Sequence, residues 1–166
     1  MNLNLPLIAE LQHEAATTRK CLERLPESEF DWKPHEKSMT LGQLAVHIAE
    51  MTGWIADTIN KPEIDFATDY VKPPDVTTTA ALVAYFDEKA MQSVNALKGA
   101  SDDDLRQNWT LRSGEQIFLA MPRIAALRGM VMNHLIHHRG QLSVYMRLKN
   151  IAVPSIYGPS ADEGMM

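Results

Sequence analysis

The sequence predicts an all-α protein: a four-helix bundle with a small irregular or hairpin excursion between helices three and four. Three observations carry this. Four segments repeat apolar residues at three- and four-residue steps, the period of a helix with one buried face. The connections between them are rich in Pro, Asp and Gly. One connection, 101–121, loses the helical period and has a strand–turn–strand pattern around Ser113-Gly114. At 166 residues the chain fits one domain, 1–166, with a core of its own. Its last stretch, from about residue 150, reads as a non-helical tail.

The first helix spans about Leu5 to Leu25, with Ile8, Leu11, Ala15, Thr18, Leu22 and Leu25 as its stripe. Asn4 is the expected N-cap, Pro6 fits the first turn, and Pro26 ends the helix. His13 falls off the stripe and reads as solvated. Cys21 reads as a small residue at the core edge. The connection from Glu27 to Met39 contains Trp32, expected to cover one end of the core, and a solvent-exposed His35.

Thr40 and Gln43 form a capping box that starts the second helix. Leu41, Leu44, Ala45, Ile48, Thr52, Ile55 and Ile59 are its stripe, and His47 lies on the margin. Pro62 closes it, and 63–76 reads as a long loop. The third helix runs from about Thr78 to Lys98, buries Val83, Phe86, Ala90, Val94 and Leu97, and has Gly99 as its C-cap candidate. Ser101 and Asp104 cap one short turn before Leu105. The last helix begins near Pro122 and reaches about Lys149. Its face is Ile124, Leu127, Val131, His134, His138, Leu142 (or Gln141) and Tyr145, so two histidines replace apolar residues on the inward stripe.

Composition excludes several functions. A net charge of −5 with no basic run argues against a nucleic-acid partner. No apolar stretch approaches the ~20 residues of a membrane helix. The N-terminus lacks the positive region of a signal peptide. One cysteine precludes an internal disulfide and fits a reducing cytoplasm.

His134 and His138 are four residues apart, one turn along a helix, near enough to share a metal ion. The spacing alone fits a metal site and a hydrogen-bonded polar core equally well. Burying two neighbouring imidazoles requires a partner for each nitrogen, and a metal satisfies both at once. His47 supplies a third nitrogen if helices two and four face each other. Three neutral imidazoles suit a borderline ion such as zinc or nickel and leave positions open. Leu135, Ile136 and His137 lie between the pair, so the built-in glutamate of a metalloprotease motif is absent. His137 points about 100° away from His138 and reads as a surface or supporting residue.

The stretch Thr40-Leu-Gly-Gln-Leu-Ala-Val-His47-Ile-Ala-Glu50, followed by His134-x-x-x-His138-Arg139-Gly140-Gln141-Leu142, resembles the DinB-like (damage-inducible) superfamily of metal-binding four-helix bundles. Asp31-Trp32-Lys33-Pro34 and the tail from Pro154 to Glu163, which includes Tyr157, match it too. The resemblance covers nearly the whole chain. It implies that His47, His134 and His138 ligate one divalent metal, zinc or nickel, and that the chain forms a homodimer. Relatives include transferases and isomerases that use low-molecular-weight thiols, and others named as hydrolases.

Three functional expectations follow. In the first, a metal-activated small thiol is transferred to a small electrophile, since metals depress the pKa of what they bind. Glu50, Arg139 and Tyr157 would then orient the substrate or the ligands. In the second, metal-bound water hydrolyses a substrate with Glu50 as general base. In the third, the protein is a non-catalytic, metal-binding, stress-associated protein. All three place a soluble chain in the cytoplasm without nucleic-acid or membrane partners.

Overall fold

The computed structural model describes residues 2–69 and 71–164. Its bundle consists of α1 (Asn4–Leu22), α2 (Leu41–Asn60), α3 (Thr79–Gly99) and a long last helix. That last helix is made of α-helical Arg123–Ala126, a π-helical segment Leu127–Met132, and an α-helical Asn133–Leu148. We label the first and third of these α5 and α6; α4 is the short turn Asp102–Arg106. The strands are β1 (Glu63–Asp65), β2 (Asn108–Ser113) and β3 (Gln116–Pro122). No helix among the described residues is long and apolar enough to cross a membrane.

Local chemistry fixes the helix starts. The Thr40 hydroxyl accepts the Gln43 N–H at 3.1 Å, while Gln43 Oε1 accepts the Thr40 N–H at 2.9 Å. The N–H groups of Leu41 and Gly42 donate to Trp32 O and Phe30 O at 2.8 and 2.9 Å. The connection 27–40 therefore clamps the start of α2, and Gly42 allows the close approach. A Cβ there would sit 3.0 Å from the Phe30 Cβ. Ser101 and Asp104 form the expected box before α4. Asn4 is not a cap: α1 begins without a side-chain cap, and the Asn4 amide instead donates to Leu97 O at 3.1 Å. Tertiary pairing with α3 outcompetes the local bond.

The hairpin is present, with Gly114 at φ +57° in its turn and a bulge between Leu111 and Arg112. The long loop after Pro62 is only partly a loop. Its first residues form β1, which pairs in parallel with β2 and makes a three-stranded sheet in the order β1-β2-β3. Glu63-Ile-Asp is too short for its alternation to show. Ile64 joins Trp109, Leu111 and Ala126 in a core cluster under the sheet.

The main core lies between the helices. One cluster gathers Leu22, Leu25, Leu44, Ile48, Phe86, Leu135, Leu142 and Met146. A second gathers Leu7, Leu11, Ile55, Leu97, Leu127 and Val131 at the other end. The inward stripe of the last helix differs from the expected one. Beyond the π segment it runs through Leu135, Arg139, Leu142 and Met146, and the two histidines are half-buried beside it. A π turn contains about one extra residue. That advances the stripe by one position and leaves His134 and His138 facing α2.

Candidate metal centre

His47 lies on the stripe of α2 that also carries Glu50, Trp54 and Asp57, at steps of three, four and three. His134 and His138 stand one turn apart on α6 and meet it across the bundle. The His47 ring centroid is 4.8 Å from that of His138 and 5.7 Å from that of His134. One ligand atom from each of the three lies within 4.8 Å of the others. The Nε2 atoms of His134 and His138 are 2.8 Å apart. Trp54 stands edge-on to both His47 and His134, each at 6.2 Å.

The donor set fits a divalent ion. Zinc–imidazole bonds of ~2.0–2.1 Å place neighbouring nitrogens ~3.4 Å apart, within reach of small ring rotations here. Burial, then the neighbouring His138, His47 and His137, pushes the His134 pKa down to about 4. Burial also lowers that of His138, against an opposing hydrogen bond to Gln141. Near pH 7 both rings are neutral, the form that coordinates.

Supporting contacts hold the rings in place. Gln141 Oε1 lies 2.6 Å from His138 Nδ1, so that nitrogen carries the proton and Nε2 is left as the donor atom. Glu50 Oε2 is 3.9 Å from His47 Nδ1, a carboxylate behind a ligand candidate. Glu50 is anticipated by the sequence; Gln141, read there as an alternative to Leu142 on the inward face, turns out to serve the histidines instead.

Arg139 and Tyr157 are elsewhere. One position past His138, Arg139 turns toward α1 and is 1% exposed. Its Nη1 is 2.6 Å from Glu14 Oε2, and its Nη2 donates to the Tyr157 hydroxyl at 2.7 Å. That hydroxyl donates in turn to Glu14 at 2.9 Å. Neither Arg139 nor Tyr157 lines the cleft beside the histidines. Their geometry is that of a brace between α1, α6 and the tail. Glu14, a buried acid on α1, was missed because a lone glutamate on an amphipathic helix looks solvated.

The cleft has a volume of about 730 Å³ and runs from His47 along α2 to Lys61. Ile64, Phe66, Asp69 and the stretch from Val71 to Pro74 form one wall; Tyr85 and Lys89 of α3 form another. Phe66 packs 6.1 Å from Trp54 and 6.3 Å from Phe118, so the sheet contributes an aromatic rim. Among the described residues, no Ser, Thr or Cys lines it. Cys21 is buried, which pushes its thiol up to about 11, as a core residue requires. His13, His35 and His137 are exposed, in line with the sequence reading.

A model of the DinB family matches residues 1–165. The chain belongs to the DinB family. It is 31% identical over 153 residues to YrdA of Bacillus subtilis strain 168, an uncharacterized protein, covering 92% of this chain and 86% of that one. Among solved structures it is similar to a DinB-like protein of Bacillus cereus ATCC 10987. There the TM-score is 0.68 at 26% identity, over 88% of this chain and 92% of that one. A second, the DinB-like YjoA of Bacillus subtilis, shares the fold with a TM-score of 0.72 at 19% identity, over 96% and 99%. The sequence resemblance to the family is therefore confirmed, as is the helical bundle with its small excursion.

Proposed function

We propose that this DinB-family protein is a metal-dependent enzyme that transfers a low-molecular-weight thiol to a small electrophile. His47, His134 and His138 would hold one divalent ion, zinc or nickel. The observation that carries the reading is the cluster of three imidazoles, one of which, His47, lines a cleft bordered by no Ser, Thr or Cys among the described residues. A bound ion would supply Lewis acidity, lowering the pKa of a thiol or water beside it. The chain's own groups do the rest. Gln141 and Glu50 fix the faces that His138 and His47 present. Trp54 and Phe66 wall the cleft with apolar surface that limits water around a reacting sulfur. Glu50 is the carboxylate placed to take up a proton released at that end.

Hydrolysis by metal-activated water is the second reading, favoured by the position of Glu50 beside His47 on the cleft wall. The cleft counts against a purely metal-storing role, for which no open cavity is needed. A homodimer working in the cytoplasm belongs to the same proposal, and sedimentation velocity tests the dimer. The deciding experiment screens zinc- and nickel-loaded protein with cellular thiols and electrophiles. Conjugation that disappears with chelation is the expected result. Metal-dependent ester or amide cleavage without a thiol would transfer the case to hydrolysis.

A further inference from the structure

Lys89 sits in the cleft in an unusual way. Its side chain crosses α2 at Gly53, where a Cβ would lie 2.8 Å from Lys89 Cδ. The stem is thus laid against bare backbone and half-buried, and its ammonium is 5.3 Å from the Tyr85 ring centroid. Among the described residues that ammonium forms no ion pair.

Among the described residues, none of the acids lining the cleft forms an ion pair with Lys89. Glu50 faces His47 at 3.9 Å, and Asp57 pairs with Lys61 at 3.0 Å. Asp69 accepts the Asp65 N–H at 2.9 Å. Lys89 is held at a defined place by Gly53 and Tyr85, yet its charge is unanswered. An ammonium at the wall of a cleft with no carboxylate paired to it can donate a charge-assisted hydrogen bond to a ligand. Gly53 is six residues from His47, ~9 Å along the helix axis.

We propose that Lys89 binds the carboxylate of an anionic substrate whose reacting group lies at the three histidines, His47 and Lys89 lining the same cleft. The proposal rests on the histidines being the reactive centre and adds the charge of what they act on. The glycine makes room for the stem, and the ammonium reads an anionic end of the ligand.

The test is isothermal titration of zinc-loaded protein with 6-mercaptohexanoate and 8-mercaptooctanoate against the neutral 6-mercaptohexanol and 8-mercaptooctanol. The acids should bind about ten- to a hundredfold tighter than the alcohols, the usual range for a charge-assisted contact. Lys89→Met, which keeps the stem, should erase that preference with metal content unchanged. Gly53→Ala, which keeps the charge but displaces the stem, should weaken it. Equal affinity for acids and alcohols, a preference that survives Lys89→Met, or no binding of any acid overturns the proposal. Octanoate, which lacks the sulfur, separates the two readings. If it binds through Lys89 while no thiol shows metal-dependent binding, the carboxylate site stands and the thiol chemistry fails.

Discussion

His138 and His134 face each other with Nε2 atoms 2.8 Å apart, close enough that one ring must donate to the other unless an ion lies near both. Replacing either with alanine removes a ligand and leaves an unpaired half-buried nitrogen. Protein purified from His134→Ala or His138→Ala cells should carry less than a tenth of the wild-type metal by elemental analysis. His47→Ala should do the same, because two imidazoles from one helix turn hold an ion far less tightly than three. Stoichiometric metal in all three variants would mean the ion binds elsewhere.

The depressed pKa values give a pH dependence with a definite sign. In the metal-free protein the unfolded chain takes up protons near pH 6.5, whereas folded His134 resists until about pH 4. Between these values the unfolded state binds more protons, so stability falls as pH falls. Urea denaturation of the metal-free protein should show a loss beginning near pH 6.5 and levelling near pH 4. His134→Gln should flatten that slope. A slope unchanged by the substitution would assign it to other groups.

Glu50 separates positioning from proton transfer. If it orients His47 as a ligand, its removal should affect metal affinity by about 10–100-fold. Glu50→Gln keeps the size and removes the charge, so competitive titration with a chelating dye should show weaker metal binding. If it also serves as base, turnover measured at saturating metal should fall further and lose its acidic limb. Full activity and unchanged affinity together would remove Glu50 from both roles.

The Glu14–Arg139–Tyr157 brace predicts stability effects remote from the cleft. Arg139 and Glu14 are both buried, so removing one partner leaves an uncompensated charge, at about 3–5 kcal/mol. Arg139→Met should lower the unfolding free energy from urea titration by that measure. Tyr157→Phe loses only a hydroxyl, at roughly 1 kcal/mol. The paired change Glu14→Leu with Arg139→Met should recover much of the loss, since a matched apolar pair leaves no buried charge. A double variant as unstable as Arg139→Met alone would show that the cluster does more than balance charge.

What could be read from the sequence followed from local chemistry. The Thr40–Gln43 and Ser101–Asp104 boxes, the Gly114 turn and the helical stripes are written in neighbouring residues. So was the metal candidate, because His134 and His138 share a turn and His47 sits near the start of a well-capped helix. What escaped depends on distant partners. Asn4 gave up its capping role to Leu97, and β1 exists because β2 is there to pair with it. Phe66 and Lys89 belong to the cleft through loop and helix placement that no local pattern encodes.

The π segment Leu127–Met132 is the least legible feature and the one with the sharpest mechanical consequence. It connects two packings: Leu127 and Val131 seal the cluster with Leu7 and Leu11, while Leu135, Leu142 and Met146 seal the one with Leu44 and Ile48. A straight α-helix would place Leu127, Val131, His134 and His138 on one face, with the histidines in the core. The extra residue lets both apolar sets point inward and moves the histidines to the edge, toward His47. Deleting the exposed Gly129 would restore a plain α-helix and rotate one half against the other by about 100°. Either the first cluster opens, seen as a fall of several degrees or more in Tm, or the histidines leave His47, seen as loss of metal. A deletion variant with wild-type Tm and full metal would show that the π turn is incidental to the site. A plain Gly129→Ala change, which meets no neighbouring atom within 4 Å, should leave both readouts near wild type and serves as the control.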